Sequence, residues 1–166
     1  MIIGARRSRI GNFFPLMVAL IVILCVLSIR LLGYGMTYQY SASMPIGLSV
    51  VVPVHHIQRH DIVIFRLTPA IRNGLLRQGW QSPPTILMKT VMAIPGDVVC
   101  KRDQAIWVNH QCIAPVIHQH FVDQPFCQVL PANYYLLMST HHKNSFDSRY
   151  FGPVSIKQIL GRVIKV

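Results

Sequence analysis

The hydrophobic pattern divides the chain into one long unbroken apolar run and a series of short ones. No charged residue occurs over 13–29, and Arg30 closes the run. With Leu31 and Leu32 the segment 13–32 reaches the roughly 20 residues that a helix needs to cross a bilayer. Beyond it, apolar stretches of strand length (48–52, 61–67, 85–94, 98–100, 105–108, 134–138 and 162–166) alternate with turn signals. Their lengths and their bounding Pro, Gly and Asn residues predict a mainly β, antiparallel domain over 33–166. Pro95-Gly96-Asp97 is a turn sequence that should end the 85–94 strand. The Arg-, Gln- and Pro-rich stretch 68–84 predicts an exposed connection with one short helical turn near 70–76.

Charge adds direction to this pattern. The chain of 166 residues carries 16 Lys+Arg against 5 Asp+Glu, a formal net charge of +11. Such a balance favours anionic surfaces. The basic residues are scattered rather than clustered on one stripe with interleaved aromatics, so membrane lipids are expected as partners and nucleic acid is not. Arg6, Arg7 and Arg9 precede the apolar run and Arg30 alone follows it closely. The positive-inside rule then gives 1–12 as a cytoplasmic N-terminus, 13–32 as a transmembrane anchor and 33–166 as an exported domain. A cleaved secretory signal would have a shorter apolar core and a nearby small-x-small site; Ser41-Ala42-Ser43 has the right residue sizes but lies well beyond the run.

Of the four cysteines, Cys25 falls inside the apolar run and Cys100, Cys112 and Cys127 fall in the exported domain, where an oxidising compartment permits a disulfide. A hairpin-like segment between Cys100 and Cys112 makes that pair the first expectation, although spacing alone does not fix the connectivity. No metal or other cofactor is expected. The cysteines form no CxxC, and the neighbours His55/His56 and His141/His142 should point to different sides of a strand or loop.

Three segments carry candidate chemistry. Lys89 interrupts an otherwise apolar strand and shares its face with Leu87 and Val91, so its amine should be partly desolvated and its pKa lowered, as a neutral lysine base requires. A snorkelling lysine is the bland alternative. Ser41-Ala42-Ser43-Met44-Pro45-Ile46-Gly47 presents a serine on an irregular segment soon after the apolar run, and turn chemistry alone would account for it equally well. In Asn144-Ser145-Phe146-Asp147-Ser148-Arg149, Asp147 and Arg149 can pair while Ser145 offers a hydroxyl to an amine; local turns explain this composition too.

Taken together and in this order, the three segments resemble type I signal peptidases of the S26 family: SxSMxP behind the anchor, a lysine in an apolar strand followed by PGD, and SxDSRxxG near the end. The likeness is greatest to the conjugative-transfer TraF-type peptidases, through 43–48, Leu136-Leu137-Met138-Ser139 and 145–153. It implies a small β-barrel-like signal peptidase domain. Ser43 would be the nucleophile and Lys89 the general base, with Ser41 and the Ser43 N–H as the oxyanion hole. Ser145 would orient the lysine, and Asp147 with Arg149 would support it. The implied enzyme is a serine endopeptidase of the bacterial inner membrane, its catalytic domain periplasmic, that cleaves signal or leader peptides of a pre-protein or prepilin. Thr90 stands where the housekeeping enzymes have arginine, and Thr140-His141-His142-Lys143 replaces their GDNR. The interval 105–134 is too short for the large accessory β domain many of them carry. A bitopic scaffold of a secretion or conjugation machine, without catalysis, is the alternative from another class. A cytosolic self-cleaving repressor would need a DNA-binding domain that the sequence lacks. The identity of the substrate, hydrolysis versus cyclisation and the oligomeric state are not legible.

Overall fold

A computed structural model describes residues 13–39, 44, 46–77, 79, 81–116, 126–139, 142 and 144–165. Ser41 and Ser43, the expected oxyanion donor and nucleophile, lie outside these described residues. The first described element is helix α1 (Phe13–Leu31), none of whose residues is buried in the protein. It is long and apolar enough to cross a membrane. Its C-terminus closes in a Schellman motif: Tyr34 N–H donates to Ile29 O at 3.2 Å and Gly33 N–H to Arg30 O at 3.0 Å. Gly33 takes the left-handed conformation that this cap requires, φ 81°, which glycine adopts without a Cβ penalty. A Cβ there would also meet Pro53 Cγ at 3.2 Å, so helix and sheet join closely.

All strand pairings are antiparallel, as the short alternating runs predict. The strands are β1 (Gly35–Gln39), β2 (Gly47–Val52), β3 (Ile62–Arg66), β4 (Ile86–Ala93), β5 (Val98–Arg102), β6 (Ala105–Val108), β7 (Gln111–Pro115), β8 (Phe126–Val129), β9 (Tyr134–Met138), β10 (Val154–Ser155) and β11 (Ile159–Lys165). Seven form one sheet, in the order β1-β2-β11-β3-β4-β9-β10, and four form a second, β7-β6-β5-β8. Gly161 lets β11 insert between β2 and β3, since a Cβ there would come within 2.3 Å of Val51 Cγ1. Helix α2 (Pro69–Arg77) fills the expected helical connection. Thr68 Oγ1 accepts the Ile71 N–H at its start, and Pro69 sits where a missing N–H costs nothing. Leu75 of α2 and Phe65, Val91 and Leu137 of the large sheet belong to one core; Val99, Ile106, Leu136 and Tyr150 belong to a second, between the sheets.

The Pro95-Gly96-Asp97 turn ends β4 as expected and becomes the joint between the sheets. Buried Asp97 accepts from Ile94 N–H and Asn109 Nδ2 and pairs with Arg59. Leu130 N–H donates to Asp97 O at 2.7 Å, which holds the chain leaving β8 on the same turn.

The disulfide corrects the sequence expectation: Cys100 is bonded to Cys127, and Cys112 is free. The cause is the turn chemistry of the second sheet. Asp103 and Gln104 both take positive φ, the pattern of a two-residue type I′ hairpin. This turn folds β6 directly onto β5. Cys100 therefore has Trp107 as one cross-strand partner and Cys127 as the other, whereas Cys112 opposes Trp107 from its far side. Non-reducing peptide mapping should recover a Cys100–Cys127 cross-link and alkylated Cys25 and Cys112. Because the bond closes 27 residues of chain, Cys100→Ser should lower the unfolding free energy by about 3 kcal/mol. A Cys100–Cys112 cross-link would contradict the register.

Candidate active site

Strand β4 carries Lys89 into the core. On β3 its cross-strand partner is Val63, and on either side along its own face lie Leu87 and Val91. Val63 and Val91 are fully buried and Lys89 itself is 2% exposed, so the snorkelling alternative fails. Charge is unfavourable in such surroundings. Burial is the largest influence on the amine and lowers its pKa; the nearby Asp147 carboxylate raises it, Arg149 lowers it, and the outcome is about 8.

One hydrogen bond receives the amine: Lys89 Nζ donates to Ser145 Oγ at 2.8 Å. Ser145 is in turn held from behind. Its N–H donates to His142 O, and its own carbonyl accepts from Arg149 Nη2 at 3.2 Å. Arg149 lies on the short helix α3 (Ser148–Phe151), with Asp147 as N-cap. Its guanidinium grips Asp147 through two parallel contacts, Nε to Oδ1 and Nη2 to Oδ2, both 2.8 Å. The bidentate geometry suits a planar guanidinium and a carboxylate. Burial opposes the Arg149 charge, but the Asp147 hydrogen bonds and charge outweigh it and hold the pKa above the ordinary arginine value.

Asp147 and Arg149 are almost wholly buried, so both must be fully partnered. Asp147 also accepts the Arg149 and Ser139 N–H groups, and Arg149 Nη1 donates to Pro115 O at 3.3 Å. Four of the sequence-predicted residues (Lys89, Ser145, Asp147 and Arg149) thus form one connected cluster.

Sequence reasoning missed several members of its setting. Ser139 at the end of β9 presents its N–H to Asp147 and accepts His142 N–H at its hydroxyl. Ser148 Oγ accepts Leu137 N–H at 3.0 Å and locks α3 to β9. Met44, the neighbour of Ser43, is buried against Met88 and Val163 on the opposite face of the sheet from Lys89. The signal was present in Ser139, where a buried apolar run ends in a hydroxyl residue, but the pairing of β9 with β4 that gives it meaning is non-local. Among the described residues no group of His, Cys, Asp and Glu could hold a metal.

A family model described as signal peptidase, peptidase S26, matches residues 9–166. A signal peptidase I from Leptolyngbya laminosa is 28% identical over 111 residues, covering 64% of this chain and 51% of the relative. A conjugal transfer protein TraF from Agrobacterium fabrum is 30% identical over 95 residues, 55% of this chain and 52% of the relative. The match spans about half the length of each. A crystal structure of a signal peptidase I from Enterococcus faecalis aligns with a TM-score of 0.42 at 21% identity, covering 67% of this chain and 99% of that one.

Two stability effects follow from the cluster. Asp147→Ala leaves the Arg149 charge buried without its carboxylate and should cost about 3–5 kcal/mol. Lys89→Met removes an amine that folding holds near pKa 8 instead of the ordinary lysine value of 10.5. Below pH 8 the buried charge opposes folding, and the penalty fades as pH rises from 8 to 10.5, because the unfolded chain binds the extra proton in that window. Lys89→Met should therefore raise stability by roughly 1–3 kcal/mol at pH 7, with a smaller gain at pH 10. Denaturant melts at the two pH values check this; an equal gain at both would exclude a depressed lysine pKa.

Proposed function

The chain belongs to the signal peptidase S26 family, and from that premise we propose that it is a membrane-anchored serine endopeptidase that removes signal or leader peptides from exported pre-proteins. Residues 13–32 anchor it with the N-terminus in the cytoplasm, and 33–166 work on the periplasmic side of the bacterial inner membrane. Ser43 is the nucleophile and Lys89 the general base. The observation that carries this reading is the Lys89 amine, buried among valines and leucines, with a pKa of about 8 and, among the described residues, a single hydroxyl partner at 2.8 Å.

Ser43 Oγ attacks the scissile carbonyl while neutral Lys89 takes its proton. The Ser43 N–H and Ser41 hydroxyl stabilise the oxyanion, Lys89 returns the proton to the leaving amine, and water hydrolyses the acyl-enzyme. Ser145 holds the lysine in place between transfers, and the Asp147–Arg149 pair fixes Ser145 through its carbonyl. Likeness to a conjugal transfer protein TraF supports prepilin as the pre-protein class.

Only the neutral amine accepts a proton, so kcat/KM should rise tenfold per pH unit below the lysine pKa and level off above about 8. Lys89→Arg keeps the charge but cannot deprotonate; it should be as inactive as Lys89→Ala and Ser43→Ala, each down by at least about 10³-fold. Intact-mass analysis of a membrane-embedded leader-peptide substrate gives the readout and separates hydrolysis from cyclisation. Substantial turnover by Lys89→Arg, or loss of turnover in a His141→Ala/His142→Ala variant alone, would refute the lysine-base mechanism.

A further inference from the structure

Away from the Lys89 cluster, a cavity of about 250 Å³ is lined by Pro53, His55, His56, Gln58, Asp61 and Arg162. Although adjacent, His55 and His56 both line it: residues 53–61 follow the end of β2 and form no strand that would send neighbours to opposite faces. The cavity sits beside the exit of α1, because Pro53 packs on Gly33 in the helix cap. Its donors are the Arg162 guanidinium, two imidazoles and the Gln58 amide, against one carboxylate. That carboxylate is already engaged: Asp61 Oδ2 accepts Gln58 N–H at 2.8 Å, and Oδ1 lies 3.5 Å from Arg162 Nη1. The Arg162 side chain remains 42% exposed, with N–H groups to spare.

The sheet beside the cavity tells which anion suits it. Arg162 pairs with Val52, so it shares a sheet face with Val50 and Leu48 on β2, with Ile164 on β11, and with Met36 and Tyr38 on β1. Met36, Tyr38, Leu48 and Ile164 are large and exposed. A pocket rich in N–H donors, with Arg162 at its edge, therefore opens onto an apolar strip at the end of a membrane-length helix. Free phosphate would leave the strip in water. An anionic phospholipid satisfies both parts.

We propose that this cavity binds the phosphodiester of an anionic phospholipid, with the acyl chains along the β1–β2–β11 strip. The proposal rests on α1 being inserted in the membrane. Fully buried Val63 stands between Arg162 and Lys89 in the cross-strand row, so the lipid lies beside the Lys89 cluster without touching it. Bound there, it fixes how the sheet leans on the bilayer.

The full chain in neutral detergent is titrated with dihexanoyl phosphatidylglycerol or dihexanoyl phosphatidylcholine, and retained lipid is counted by native mass spectrometry. One phosphatidylglycerol should be held in preference to phosphatidylcholine. Arg162→Gln and His55→Ala/His56→Ala should each weaken it about five-fold, near the upper limit for a half-exposed charge contact. Asp61→Asn should strengthen it, which a purely structural Asp61–Arg162 pair would not do. Equal retention of the two lipids, indifference to all three variants, or displacement by equimolar inorganic phosphate would overturn the proposal. Alkaline extraction of membranes and leader-peptide cleavage, measured on the same proteins, test the anchor and the peptidase separately: extraction of the wild-type chain would sink the anchor, and loss of cleavage in Ser43→Ala alone would leave the lipid site untouched.

Discussion

A lysine amine that must sit in an apolar strand and still find a partner is the constraint around which this domain is built. Burial disfavours its charge by the same physics that disfavours any ion away from water. The structure does not relieve that penalty with a carboxylate at hydrogen-bond distance, which would restore the ordinary lysine pKa. It supplies a hydroxyl, Ser145 Oγ, and keeps the Asp147 charge occupied by Arg149. Asp147 still raises the amine's pKa, but less than burial lowers it. An amine whose pKa is lowered to about 8 is the result of that ordering of magnitudes.

Much of the remaining architecture serves to hold the hydroxyl where the amine needs it. Ser145 lies in a loop, and loops do not fix side chains unaided. Here its carbonyl is tied to Arg149, Arg149 to Pro115 of the second sheet, and Asp147 to Ser139 of the first. The second sheet is itself fastened to the first by Asp97, and its edge strand β8 is locked to β5 by the Cys100–Cys127 bond. The small accessory sheet thus buttresses the cluster, which explains why a chain too short for a large accessory domain still builds four strands there.

What the sequence disclosed was chiefly what burial pattern and motif order carry. Lys89 stood out because a charge inside an apolar run has few physical explanations, and the 145–149 segment stood out once that lysine needed a partner. Four strands escaped notice. β1 follows the apolar helix closely, and its outward Met36 and Tyr38 invert the usual alternation of a strand facing water. β7 and β8 are short edge strands with mostly exposed residues, and β10 has two residues. The cysteine pairing was misjudged because Asp103-Gln104 and Asn109-His110 are tight turns without the glycine that would have marked them, and register in a hairpin is set by its turn. Nothing local in sequence reveals that β8 returns beside β5.

On the proposed reading, the joint between helix and sheet links the site to the membrane. The Schellman cap ends α1 within three residues, and β1 starts at Gly35. Its five residues then run extended for roughly 17 Å at strand rise, toward the segment that holds Ser41 and Ser43. A flexible tether of the same length would let the domain rotate and drift relative to the bilayer. Strand β1 cannot do so, because it is zipped along its whole length to β2 and through β2 to β11. On the proposed reading, a leader peptide emerging from the bilayer meets its nucleophile at a height set by backbone hydrogen bonds rather than by diffusion. The exposed apolar face of β1 and β2 then becomes a requirement of that placement: a strand held this close to lipid gains by presenting Met36, Tyr38 and Leu48 to it.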